Sequence, residues 1–163
     1  MEMLDDIRSD LKADGRESDY TAVNTLWLAL LKLANLENGK SELARMDTLV
    51  GRIPEKIVRA IVNDPAVDAL LNLNPPLETI ISHQHELLET VKVTNALEKV
   101  RAQRAALPRE GLAALGFVLK VIRNKREHGF KTRDGSRDTE ILHSARQLLA
   151  NLCQAAFEIR VDA

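Results

Sequence analysis

The apolar residues of this chain recur at three- and four-residue spacing almost from end to end, and that rhythm belongs to helices packed on one face. Met3, Leu4, Ile7 and Leu11 form the first stripe, which Gly15 is expected to close. Ser18 or Asp19 can cap a second helix, whose stripe is Val23, Leu26, Trp27, Leu30, Leu33 and Ala34, with Asn38-Gly39 as its expected end. Ser41 opens a shorter helix carrying Leu43, Met46, Leu49 and Val50, and Gly51 is expected to stop it. Pro54 and Asp64-Pro65 each mark a further helix start, since a proline in the first turn lacks only an N–H that has no partner there.

Asn74-Pro75-Pro76 is the firmest break, because neither proline extends a helix and each restricts the residue before it. From Leu77 to about Arg104 the pattern predicts one long helix of about 40 Å, with Ile80, Leu87, Leu88, Val91, Leu97 and Val100 apolar. Pro108 opens a helix with Leu112, Leu115, Val118, Leu119 and Ile122 on one face. Residues Phe130 to Arg137 read as a polar loop containing Asp134-Gly135. Asp138 can cap the last helix, whose stripe is Ile141, Ala145, Leu148, Leu149, Leu152, Ala156 and Ile159. No segment alternates with period two, so the expected fold is all-α, a helical bundle. We expect a single domain over 1–163, with N-terminal helices over 1–76 and a core over 77–163.

Composition excludes several functions. Cys153 is the one cysteine, so neither an intramolecular disulfide nor a thiolate metal cluster can form. Tyr20, Trp27, Phe117, Phe130 and Phe157 are too few for an aromatic platform that stacks single-stranded bases. The first nineteen residues carry seven acids and three bases, unlike a signal peptide, and no apolar run approaches the roughly 20 residues of a membrane span. A cytoplasmic protein without membrane partners is expected. Neither G-x-x-x-x-G-K-[ST] nor G-x-G-x-x-G occurs, which disfavours nucleotide-loop enzymes.

Charge is concentrated. Lys120 to Arg137 holds seven bases and two acids, a net of +5 against −6 for the rest of the chain. Such a block binds anions, phosphate above all, or else complements a helix C-terminus. Within it stands Arg123-Asn124-Lys125-Arg126-Glu127-His128-Gly129. Arg, a polar residue, three more positions and then His-Gly resembles the Rx4-6H motif of the HEPN superfamily. An apolar helix before the motif and a long amphipathic helix after it match that setting, and the resemblance covers Pro108 to Phe157.

The resemblance implies a HEPN-like helical bundle acting as a metal-independent endoribonuclease without a cofactor, in a bacterial toxin–antitoxin or phage-defence role. Its chemistry suits the residue types. The 2′-OH of RNA can attack the adjacent phosphate if one group removes its proton and another protonates the leaving oxygen, and His serves both roles near neutral pH. A guanidinium stabilises the charge growing on the phosphoryl oxygens. On this reading His128 is the general acid/base, Arg123 stabilises the phosphate, and Asn124 orients the histidine or a phosphate oxygen. Lys125, Arg126, Lys131, Arg133 and Arg137 contact the RNA backbone. One motif histidine per chain implies a homodimer with a composite site. An antitoxin or other protein partner is possible. A non-catalytic HEPN module binding RNA, a nucleotide or a protein is the alternative.

Other groups carry less. His83 and His85 lie about 200° apart on a helix and cannot chelate one ion. No Glu-x-x-His pair accompanies Glu86 or Glu89. His143 could face the motif, Cys153 reads as a buried thiol, and Trp27 and Phe157 read as core. A helix-turn-helix over Ser41 to Leu73 would have Arg45, Arg52, Lys56 and Arg59 as its few bases, a poor duplex footprint.

Overall fold

Short oxygen-bearing side chains start the helices where the sequence places them. In the computed structural model, Ser18 Oγ accepts from the Thr21 N–H at 3.3 Å, Ser41 Oγ from Ala44 at 3.1 Å, and Asp64 Oδ1 from Ala66 at 2.8 Å. Each satisfies one of the orphan donors of a helix N-terminus. The structure describes residues 2–13, 18–73, 76–77, 87–128 and 136–162, with backbone only at 10, 12, 13, 87–90, 125–128 and 136–138. Among these, eight helices and no strands occur: α1 (Glu2–Ala13), α2 (Asp19–Ala34), α3 (Glu42–Arg52), α4 (Glu55–Val62), α5 (Pro65–Leu71), α6 (Leu87–Gln103), α7 (Pro108–His128) and α8 (Ser136–Val161). The fold is all-α.

Three boundaries differ from expectation. α2 ends at Ala34, ahead of Asn38-Gly39, because Leu36 and Glu37 donate to Leu33 and Ala34 at i−3 and tighten the chain into a turn. Gly39 instead passes close to α3, where a Cβ would lie 2.9 Å from the Arg45 nitrogen. α3 runs through Gly51, and Pro54 ends it by forcing Ile53 into an extended conformation. Arg109 donates to the carbonyls of Val50 at 3.0 Å and Ile53 at 2.6 Å, so the frayed end has partners. α8 starts at Ser136, which puts Arg137 and Asp138 inside the helix rather than in a loop and at a cap. Residues 130–135 of the expected loop, together with Gly15 and residues 78–86 of the expected long helix, lie outside the described residues.

The stripes find each other in one continuous apolar cluster reaching from Ile7 to Phe157. α6 and α7 pack as an antiparallel pair across the short link at 104–107. Val93, Leu97 and Val100 set the buried face of α6, and Val91, about 200° around from Val93, is 57% exposed. α2 and α8 run parallel. Asp19 at the start of α2 accepts from Arg146 at 2.9 Å, and Glu37 just beyond its end accepts from Arg160 at 2.6 Å. Between these clasps the Cys153 thiol donates to the Leu26 carbonyl at 3.1 Å, and Cys153 is fully buried.

Glu37 holds three elements together. Its side chain is 2% exposed, with Arg160 of α8 on one carboxylate oxygen and Arg52 of α3 3.4 Å from the other. A carboxylate this buried is stable only while its cations stay with it.

Candidate functional site

The last turns of α7 leave the apolar core and become basic. Ile122 is fully buried, and the next two residues, Arg123 and Asn124, are half-buried. Arg123 donates from Nε to Asn24 Oδ1 at 3.2 Å and from a terminal nitrogen to Asn124 Oδ1 at 3.2 Å. Both acceptors are neutral amides. They orient the planar guanidinium through two of its nitrogens.

Asn124 Oδ1 thus accepts from Arg123, while its expected role of orienting His128 or a phosphate oxygen involves groups outside the described side chains. Asn24 is a contributor that motif reasoning missed. It comes from α2, outside the stretch that carries the HEPN resemblance. Its one sequence signal is an amide set between Val23 and Leu26 in an otherwise apolar run.

α7 stays helical through its last residue, His128. Five positions of α-helix turn by about 140°, so backbone positions 123 and 128 lie on different sides of the helix. Gly129 follows directly and lies outside the described residues. The same holds for Lys131 and Arg133, and for the side chains of Lys125, Arg126, His128 and Arg137.

His143 is 74% exposed, and its Nδ1 lies 3.5 Å from Asp19 Oδ2. Arg146 takes the other oxygen of that carboxylate and is 15% exposed. Asp19 also sits at the positive end of the α2 dipole, a second reason for a carboxylate there. Asp19 and Asn24 are five positions apart on α2, so the helix offers one to α8 and the other to α7. The first turns of α2 thus organise polar groups from both C-terminal helices.

The bases of the helix-turn-helix alternative are mostly engaged within the protein. Arg45 bonds Asn35 Oδ1 and the Gly39 carbonyl, each at 3.1 Å. Arg59 bonds Glu55 and the Ala105 carbonyl, both at 3.0 Å, and Arg52 pairs with Glu37. A duplex footprint would have to break these contacts.

Among the described residues no three His, Cys, Asp or Glu side chains gather as metal ligands. No helix among them is long and apolar enough to cross a membrane. Compared with protein-family models, curated proteins and solved structures, the chain matches none.

Proposed function

We propose that the protein is a metal-independent endoribonuclease of the HEPN type, active as a homodimer in a bacterial toxin or phage-defence role. The observation that carries this reading is the orientation of Arg123 by two neutral amides, five residues before His128 and inside the basic block. A guanidinium held in a fixed plane suits the charge that develops on a phosphate during attack by the 2′-OH. His128 serves as general acid/base. Lys125, Arg126, Lys131, Arg133 and Arg137 hold the RNA backbone. The roughly 140° between positions 123 and 128 around α7 favours pairing each with the opposite residue of a second copy across a two-fold axis.

The test is incubation of wild-type, Arg123→Ala and His128→Ala protein with total bacterial RNA in EDTA, followed by analysis of fragment ends. Cleavage by wild type alone, leaving 2′,3′-cyclic phosphates and 5′-hydroxyls, is the expected result. Cleavage that persists in both variants would overturn the assignment.

The basic block over Lys120 to Arg137 by itself favours a second reading, in which the end of α7 binds RNA, a nucleotide or a protein without cutting. Retained RNA binding by a folded dimer, with no cleavage by any variant, selects it.

A further inference from the structure

A groove of about 190 Å³ opens between α3 and α7, one helical turn before Arg123, and its reading does not depend on the nuclease proposal. Its buried lining includes Trp27, Leu30 and Leu152, and Met46 and Phe117 are half-buried in its walls. Gly116 leaves it open: a Cβ added there would meet nothing within 4 Å. The rim is charged, with Glu42 and Asp47 on α3 and Lys120 on α7, all three exposed. Leu43, on the same rim, is 68% exposed although it belongs to the apolar stripe of α3.

Size and charge narrow what can fill it. An apolar cavity of about 150 Å³ takes up one benzene ring, whereas pockets for metabolite-sized ligands usually span about 300–1,000 Å³. The groove therefore fits one large side chain, the unit by which protein partners anchor in each other's surfaces. A small molecule in the groove would leave Leu43 in water, and a partner backbone running over the rim would cover it. Two carboxylates against one ammonium select a segment with cations beside its anchor. We propose that this groove is a docking site for a partner protein, which inserts one aromatic side chain flanked by arginine or lysine.

Trp27 is the one tryptophan of the chain and lines the groove, so its emission reports occupancy. The probe is the capped peptide acetyl-Ala-Arg-Phe-Arg-Ala-amide, titrated into the whole protein. Controls replace both arginines by glutamate, or phenylalanine by alanine. A saturable change in Trp27 emission is expected at concentrations on the order of 1 mM. Binding should be lost with the alanine peptide and at least about fivefold weaker with the glutamate peptide.

Gly116→Leu should abolish binding at unchanged helicity, since its side chain enters the groove from a Cβ that meets nothing within 4 Å. The surface double variant Glu42→Gln/Asp47→Asn should weaken the arginine peptide about fivefold and leave the fold intact. No emission change up to about 5 mM peptide would overturn the proposal, and so would equal affinity for the two charge forms. Equal binding of 2-phenylethylamine would reassign the groove to a small amine. Self-association abolished by both Gly116→Leu and Phe130→Ala would reassign it to a second copy, whose Phe130-Lys131 also joins an aromatic to a base.

Discussion

Asn24 and Arg123 stand 99 residues apart in the chain and meet through a 3.2 Å hydrogen bond that ties α2 to the basic end of α7. The amide oxygen accepts from Nε and so fixes one edge of the guanidinium. If orientation is its contribution, Asn24→Ala lowers kcat of RNA cleavage by about 10- to 100-fold and changes KM little. Asn24→Asp keeps an acceptor in place and adds a negative charge, so it should restore orientation but lose both RNA affinity and rate. Single-turnover cleavage against filter binding separates the two effects.

Arg123→Lys keeps the charge and loses the plane. Lysine cannot take both amide oxygens in fixed geometry. RNA affinity should stay within a few-fold of wild type while cleavage falls by about 100-fold or more. Glutamate at Lys125 or Arg126 should do the reverse, weakening binding and reducing its salt dependence by about one counterion per site.

Arg160→Ala strands the Glu37 carboxylate in a nearly dry site, with Arg52 3.4 Å away as its remaining cation. The loss should be about 3 kcal/mol by denaturant unfolding. Arg52 is 52% exposed, and Arg52→Ala should cost under about 1 kcal/mol. Equal losses would mean that the two arginines share the carboxylate evenly.

Two glycines should respond with opposite sign to the same change. Gly116→Ala adds a Cβ into open space inside α7, so helix propensity alone decides, and stability should rise by about 1 kcal/mol. Gly39→Ala pushes a Cβ to 2.9 Å from the backbone nitrogen of Arg45 and should cost about 1–3 kcal/mol. Thermal melting of the two variants checks both.

The helices were legible because their signals are local. Ser18, Ser41 and Asp64 cap as their side-chain chemistry dictates, and the stripes of α2, α7 and α8 are the buried faces. Two of the three shifted boundaries, the ends of α2 and α3, turn on glycines. Gly51 resembles a stop signal, yet a single glycine costs a helix only about 1 kcal/mol, and the proline three residues on decides the end. Of the candidate site, Arg123 and Asn124 stood out by motif. Asn24, Asp19 and Arg146 did not, because only the tertiary packing of α2 between α7 and α8 gives them partners. Nothing local marks Glu37, since the guanidinium that buries it arrives 123 residues later.

The paired clasps between α2 and α8 have a consequence for which changes the chain can absorb. Asp19 with Arg146 and Glu37 with Arg160 fasten the same two helices near both ends. One added residue between Arg146 and Arg160 would advance α8 by about 1.5 Å and rotate everything beyond it by about 100°. With one clasp closed, the other guanidinium would swing out of reach of its carboxylate. The two helices are thus length-locked: this stretch should accept side-chain exchanges of matched size and reject insertions and deletions, a selectivity that an indel scan of residues 147–159 would map directly.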